Sequence, residues 1–191
     1  MLAMVKKETE KLLDFLLSDF GFSQSRIAMA FSGGRGYHIH VRDQRILAFG
    51  SDERREMVDY LAGRGLAMDR FINMAPMDGE WGKDRAFRLR APAAGAPGWG
   101  SRINRSIIAF VNDLRQLSQA EAIALLSKRK GIGPKRASSF YKSLQEKNVL
   151  DEIARGNLDL FRGSAAIWKL LLVEFLDEEG VKVGFNLDSE R

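Results

Sequence analysis

The stretch that decides the fold is residues 27–41, IAMAFSGGRGYHIHV. Two short apolar runs, IAMAF (27–31) and YHIHV (37–41), flank a segment that contains three glycines and one arginine. Apolar runs on either side of a glycine-rich turn are typical of a β-hairpin. We therefore predict two strands, with His38 and His40 on the same face of the second one because side chains alternate along a strand.

The glycine segment carries groups that favour an anion. Glycines let backbone N–H groups approach a ligand with no Cβ in the way, a serine adds a hydroxyl, and an arginine adds a planar fork of donors that suits phosphate oxygens. The candidate residues are Ser32, Gly33, Arg35, Gly36 and His38. A plain hairpin, with glycines that only form the turn and histidines that are merely exposed, is an equally open interpretation of the spacing alone.

Metal and P-loop interpretations of the same stretch are weaker. The chain has two histidines and no cysteine, so the pair His38 and His40 lacks the further ligands that zinc usually takes in proteins. We expect no zinc site. The stretch is also not a P-loop, because no Gly-Lys-Ser/Thr follows and the glycines lead into a strand instead of a helix.

Size and composition indicate a globular protein. The 191 residues are 45% hydrophobic and 29% charged, which allows one well-packed domain or a domain with a small subdomain. No apolar run reaches the length of a membrane span, and the N-terminus is charged and helix-periodic, unlike a signal peptide. The lack of cysteine fits a reducing compartment. We expect a cytoplasmic protein with no membrane partner.

Positive charge is concentrated in one part of the chain. The net charge is +5, yet Arg85–Arg136 holds eleven Lys and Arg against two acidic residues, a local net charge of +9. The remainder must therefore sum to −4. Such a basic region favours a polyanionic partner such as nucleic acid, although an uneven basic surface is also common in proteins that bind none.

Periodicity places further elements along the chain. Apolar residues at helical spacing predict a helix over 5–20 that Gly21 ends, and a second helix begins near Ser51 and ends at Gly63. RILAF (45–49) predicts a third strand. A long break follows, and beyond it we predict helices at 103–117, at 135–147 and at 165–178. A capping box formed by Ser118 and Glu121 opens a further helix.

These elements predict an α+β fold in three parts. Residues 1–62 form the α/β part, residues 63–102 form an irregular join rich in glycine and proline, and residues 103–191 form a helical subdomain. The join contains Trp81 and Trp99, which we interpret as buried anchors, although stacking on nucleic-acid bases is an alternative.

A second candidate site lies at residues 125–144, LLSKRKGIGPKRASSFYKSL. Two predicted helices flank Gly-Ile-Gly in the G-h-G-x-x-x-A pattern of a helix-hairpin-helix, and N–H groups at the start of the second helix can face a backbone phosphate. The candidate nucleic-acid-binding residues are Lys128, Arg129, Lys130, Gly131, Gly133, Lys135 and Arg136. A simple packing unit with exposed lysines is the alternative.

The run 31–41 resembles the S-G-x-R-G-x-H motif of archaeal and eukaryotic DNA primase small subunits, and more broadly the primase-polymerase superfamily. Residues 12–63 are similar to the archaeal subunit in order and spacing, and PGWGSRI (97–103) also resembles that family; the likeness is thin beyond about residue 145. The resemblance implies a partial primase-polymerase catalytic sheet with flanking helices.

Carried over residue by residue, the resemblance implies that Ser32, Arg35 and His38 hold the triphosphate of an incoming nucleotide, while Gly33 and Gly36 permit a tight backbone. It further implies a DNA-directed nucleotidyltransferase that makes primers on a single-stranded DNA template from nucleoside triphosphates. Mg²⁺ or Mn²⁺ would serve as cofactor, and the primase large subunit would be the partner.

The chain departs from the family pattern where the catalytic carboxylates should be. The family places an h-h-h-D-x-D strand upstream of the glycine motif, and no D-x-D precedes Ser32 here. The catalytic and metal-binding residues therefore stay unidentified. We favour a fragment or split-gene product over a degenerate relative. Two other functions remain open: a non-catalytic nucleotide- and DNA-binding module, and a repair polymerase domain of the ligase-associated type.

Overall fold

The structure is a computed structural model that describes residues 2–34, 36–66, 71–76, 87–160 and 164–180. Helices and short antiparallel strands are combined, so the predicted α+β class is confirmed. The elements are α1 Leu2–Asp14, β1 Ile27–Phe31, β2 Tyr37–Val41, α2 Gln44–Leu47, α3 Ser51–Ala62, β3 Asn73–Pro76, β4 Phe87–Arg90, α4 Trp99–Gln116, α5 Gln119–Ser127, α6 Pro134–Ser143, α7 Val149–Ala154 and α8 Ser164–Glu179.

The chain divides into two compact units, with boundaries after Leu66 and after Leu176. Unit 1 holds α1, the β1–β2 hairpin, α2, α3 and the last residues of α8, and unit 2 holds the elements from β3 through most of α8. The two candidate sites therefore belong to different units, and each unit is described by itself.

Unit 1 is built around aromatic contacts between the end of the first helix and α3. The helix predicted over 5–20 begins at Leu2 and continues after Asp14 as one π-helical turn, Phe15–Asp19. Phe15 is fully buried, and its ring meets that of Tyr60 edge to face at 6.0 Å. The Tyr60 hydroxyl donates to Asp19 Oδ2 at 2.8 Å. This packing holds the segment that leads into β1.

Gly21 ends the first helical segment as predicted, since its φ of 63° lies in the left-handed region that glycine adopts without strain. The predicted strand at 45–49 is wrong, because residues 44–47 form the short helix α2. Asp43 caps this helix by accepting from Arg45 N at 3.0 Å, and such a cap favours a helical turn. Leu47 stays 76% exposed, so no buried sheet face draws the segment into a strand.

Unit 2 contains a hairpin that the sequence did not predict. Within residues 63–102, β3 and β4 pair antiparallel with Asn73 opposite Arg90. The backbone after β4 is held by residues near α7, since Ala91 N donates to Gly156 O at 2.8 Å. At Gly156 a Cβ would meet Ala91 O at 2.3 Å, so this close approach requires glycine.

The helices of unit 2 surround one apolar core. One face of α4 is fully buried, and the indole of Trp168 in α8 meets Phe140 in α6 edge to face at 5.0 Å. The predicted capping box at Ser118 is confirmed: Ser118 Oγ accepts from Glu121 N at 3.3 Å, and Glu121 Oε2 accepts from Ser118 N at 3.0 Å. This box fixes where α5 begins.

Candidate nucleotide-binding hairpin

The β1–β2 hairpin is closed by two hydrogen bonds across its glycine loop. The strands pair antiparallel, with Phe31 opposite Tyr37. Ser32 N donates to Gly36 O at 2.9 Å, and Gly36 N donates to Ser32 Oγ at 3.1 Å. The Ser32 hydroxyl thus shapes the loop as an acceptor, while its own O–H proton can still point to an added ligand.

The two faces of the hairpin differ in chemistry. His38 lies opposite Ala30, and His40 lies opposite Ala28, so both imidazoles stand beside small side chains on one face. Their ring centroids are 6.4 Å apart, with the planes 28° from parallel. The predicted shared face of the two histidines is confirmed. The alanines, which the sequence analysis passed over, leave space next to the rings, and only the strand register reveals them.

Predicted site residues cluster at the loop end of this hairpin. Ser32 and Gly33 follow β1 directly, Gly36 precedes β2, and His38 is an exposed residue of β2. Arg35, the fifth predicted residue, lies outside the described residues.

The glycines of the loop have different roles. Gly33 has φ 77°, a left-handed conformation that other residues adopt only with strain. Gly34 does not have a positive φ, and a Cβ added at Gly34 or Gly36 would meet none of the described residues within 4 Å. The conformation therefore requires glycine at position 33, whereas Gly34 leaves space for an approaching ligand and Gly36 uses its N–H and C=O to close the loop with Ser32.

Charge on the hairpin has one sign. No Asp or Glu occurs between Phe20 and Arg42, whereas this stretch contains three arginines and both histidines of the chain. A site without carboxylates suits an anion, and oxygen-rich cation sites in proteins are built mainly from carboxylates. Chemically, the loop can bind phosphate oxygens through N–H groups, a hydroxyl and an imidazole.

A pocket exists in unit 1, but the hairpin does not line it. It has a volume of about 420 Å³ and is lined chiefly by Phe20, Phe22, Phe49 and Tyr60. Four of its nine lining residues are aromatic and two, Glu53 and Glu56, are acidic, a lining that does not suit a triphosphate. Ser32, Gly33 and Gly34 are exposed, so the glycine loop is an open surface site.

The residues implied as metal ligands by the family are not found. Among the residues that the structure describes, no three His, Asp or Glu side chains group together as a metal site would need. No ligand of a divalent ion is therefore assigned among the described residues. The same part of the chain has no helix that is both long and apolar enough to cross a membrane.

The predicted nucleic-acid residues surround the turn between α5 and α6. Lys128, Lys130, Lys135 and Arg136 are exposed, whereas Arg129 is half-buried. Arg129 Nε donates to both carboxylate oxygens of Glu174, at 2.9 and 2.8 Å, and its guanidinium lies over the Phe110 ring. Arg129 is thus engaged inside unit 2.

Known proteins with similar sequences belong to the family that residues 31–41 resemble. The sequence model of the DNA primase small subunit family matches residues 1–88. DNA primase small subunit PriS of Methanothrix thermoacetophila is 50% identical over 188 residues, which are 98% of this chain and 48% of the relative. PriS of Methanococcoides burtonii is 41% identical over 159 residues, 83% of this chain and 40% of the relative. PriS of Halobacterium salinarum is 38% identical over 160 residues, 84% of this chain and 39% of the relative.

The fold and the hairpin define a mixed α+β protein with an exposed glycine loop that carries hydrogen-bond donors. By sequence, the chain is similar along nearly its whole length to archaeal DNA primase small subunits, and the resemblance seen in residues 31–41 is confirmed. The chain spans about half the length of the curated relatives it matches. No solved structure matches it.

Proposed function

We propose that the chain supplies the triphosphate-binding part of a DNA primase small subunit, which synthesises primers for DNA replication on a single-stranded template. The observation that carries the proposal is the closed Ser32–Gly36 loop next to exposed His38, in a stretch with no carboxylate. The motif resemblance adds Arg35 to the same loop, as a fork of donors for phosphate oxygens.

The family relationship extends the proposal to cofactor, partner and location. Divalent metal dependence is expected of primases, and the metal would supply stabilisation of charge at the transferred phosphate. The proposed partner is the primase large subunit, the proposed substrates are nucleoside triphosphates, and the proposed location is the cytoplasm, with which the absence of cysteine agrees. The primase-polymerase arrangement of the β1–β2 hairpin is part of the same proposal.

Replacing Arg35 tests the site directly. Arg35→Ala should weaken ATP binding by about 1.5–3 kcal/mol, the usual contribution of a hydrogen bond to a charged group. That is roughly a 10- to 150-fold rise in Kd. Isothermal titration of the full chain with ATP, with Mg²⁺ in the buffer, measures it.

Arg42→Ala is the matched control, because Arg42 is an exposed arginine that follows β2, at the end of the hairpin opposite the glycine loop. It should leave the Kd for ATP unchanged. Equal affinity of the wild type and Arg35→Ala would place the triphosphate elsewhere, and equal loss in both variants would reduce the effect to general charge.

A non-catalytic nucleotide- and DNA-binding module is the second candidate. The chemistry of the hairpin favours it, since the loop provides donors for an anion and no carboxylate for a metal. Primer extension by the full chain with Mn²⁺ on a single-stranded template tests the second candidate. Nucleotide addition rules out the non-catalytic module, whereas ATP binding without addition agrees with that module and equally with a part of a primase that lacks its catalytic carboxylates.

A further inference from the structure

The turn between α5 and α6 carries the densest positive charge of unit 2. Residues 122–145 contain six Lys or Arg and no acidic residue, and five of the six lie within 128–136. Lys128, Lys130, Lys135 and Arg136 are exposed and make no ion pair with any residue that the structure describes. A cluster of like charges without partners is unfavourable for the isolated fold.

Arg129 shows what a structural cation in the same turn looks like. Its guanidinium binds Glu174 through two hydrogen bonds, donates to Leu125 O at 3.1 Å and lies over Phe110. Lys128, Lys130, Lys135 and Arg136 make no such ion pair or ring contact with the described residues of unit 2. The fold thus uses one cation of the turn for packing and presents the others to solvent.

Ile132 holds the turn in place between its two glycines. This residue is 2% exposed, so its side chain anchors the link between the helices in the core of unit 2. Gly131 has φ 99°, and a Cβ there would come within 3.2 Å of Leu170 Cδ1. The fold therefore requires glycine at position 131.

Gly133 is different, because the fold places no demand on it. Its φ of −78° is open to any residue, and an added Cβ would meet nothing within 4 Å. It occupies the N-cap of α6 and provides no side-chain hydrogen bond there, although Ser, Thr, Asp and Asn are the better caps. The N–H groups of the first turn are left to an external acceptor.

We propose that this turn is a second binding site, separate from the nucleotide hairpin, which holds the sugar–phosphate backbone of a nucleic acid. N–H groups at the exposed start of α6 donate to one phosphate. Lys128, Lys130, Lys135 and Arg136 contact the phosphates on either side of it. Contacts of this kind ignore base sequence and depend strongly on salt. The inference rests on the charge and exposure of the turn and does not depend on the role of Arg35.

A pair of double variants tests the site in the full chain. Lys135→Ala with Arg136→Ala should weaken binding of a fluorescent 20-nucleotide oligothymidine on the order of tenfold in about 0.1 M salt. The slope of log K against log salt should fall by about 1.4, or 0.7 for each lost phosphate contact on a single strand. Lys142→Ala with Lys147→Ala, which removes two exposed lysines beyond the turn, should change neither.

Gly133→Ser separates binding from folding. Serine is at least as good an N-cap as glycine, so the Tm should hold, yet its side chain occupies the space and the amides that a phosphate would use. Oligothymidine affinity should therefore fall. Equal losses in the two double variants, or unchanged affinity in Lys135→Ala with Arg136→Ala and in Gly133→Ser, would overturn the proposal.

Two further measurements fix the ligand class and the independence of the sites. Polyglutamate should compete poorly with oligothymidine, and competition as strong as that of unlabelled oligothymidine would show a general polyanion site and overturn the proposal. Lys135→Ala with Arg136→Ala should leave the Kd for ATP unchanged, and Arg35→Ala should leave oligothymidine affinity unchanged. Failure of one site is thereby distinguishable from failure of the other.

Discussion

The two glycine turns of this chain are both candidate sites for phosphate groups, but the first joins two strands and the second joins two helices. The β1–β2 loop and the α5–α6 turn each contain one glycine held at positive φ, Gly33 at 77° and Gly131 at 99°. Each also contains a glycine at which an added Cβ would meet none of the described residues within 4 Å, Gly34 in the first turn and Gly133 in the second. In both turns this glycine leaves space that a ligand can occupy.

The turns differ in how firmly they are anchored. Ile132 of the helical turn is 2% exposed, whereas Phe31, which precedes the strand loop, is 49% exposed. The helical turn is therefore tied into an apolar core, and the strand loop depends on its own hydrogen bonds, such as the pair between Ser32 and Gly36. We expect the firmly anchored helical turn to suit the regularly spaced phosphates of a nucleic-acid backbone. We expect the less anchored strand loop to suit a single ligand whose binding orders it.

Removing the anchors should give the largest contrast. Ile132→Ala should lower the free energy of unfolding by about 2–5 kcal/mol, because it deletes buried methyl groups and leaves a cavity. Phe31→Ala should cost much less, since half of the ring is already in water. Urea denaturation of both variants checks the difference, and equal losses would mean that the strand loop is as firmly anchored as the helical turn.

The glycines should divide by conformation and not by location. Gly33→Ala and Gly131→Ala should each cost roughly 1–2 kcal/mol, the penalty of left-handed backbone for a residue with a Cβ. Gly34→Ala should be neutral or slightly stabilising, because it restricts the unfolded chain. The same denaturation experiment checks all three. A large loss of unfolding free energy in Gly34→Ala would show that the backbone at position 34 is constrained to glycine, as at positions 33 and 131.

Local patterns predicted the parts of this fold that depend on local contacts. The strands at 27–31 and 37–41, the helix that begins at Ser51 and the Ser118 capping box all follow from periodicity and short-range hydrogen bonds. The strand predicted at 45–49 is wrong because the helix cap provided by Asp43 outweighs the apolar composition of the segment. Strands β3 and β4 were missed because four-residue strands gain most of their stability from pairing with distant residues.

The same division applies to the candidate sites. The residue types at 32–38 and at 128–136 were visible in the sequence, but their separate roles were not. The ion pair of Arg129 joins it to Glu174, 45 residues further along the chain, and no local pattern indicates it. Likewise, which glycine has positive φ depends on how each turn closes, so the space beside Gly34 and Gly133 is seen only in the structure.

The smallest expected effect concerns two carboxylates that take part in helix caps, one in each unit. Asp43 follows β2, and hydrogen bonds from the Arg45 side chain lower the pKa of Asp43 to about 2 from its usual 3.8. Glu121 opens α5, and hydrogen bonds from the Ser118 hydroxyl and N–H lower the pKa of Glu121 below its usual 4.5. Because both pKa values are lower in the folded state, their stabilisation is complete above the unfolded values and is lost as pH falls through the folded ones.

We therefore expect the urea midpoint to fall between about pH 5 and pH 2 in the wild type. Asp43→Asn should flatten that fall towards its acid end, and Glu121→Gln should flatten it at and below pH 4.5. Glu121 is exposed and Asp43 keeps part of its surface in water, so each change should be small and should shrink further in high salt. A pH profile identical to that of the wild type in both variants would mean that these caps, which start α2 and α5, contribute nothing measurable to the stability of the protein.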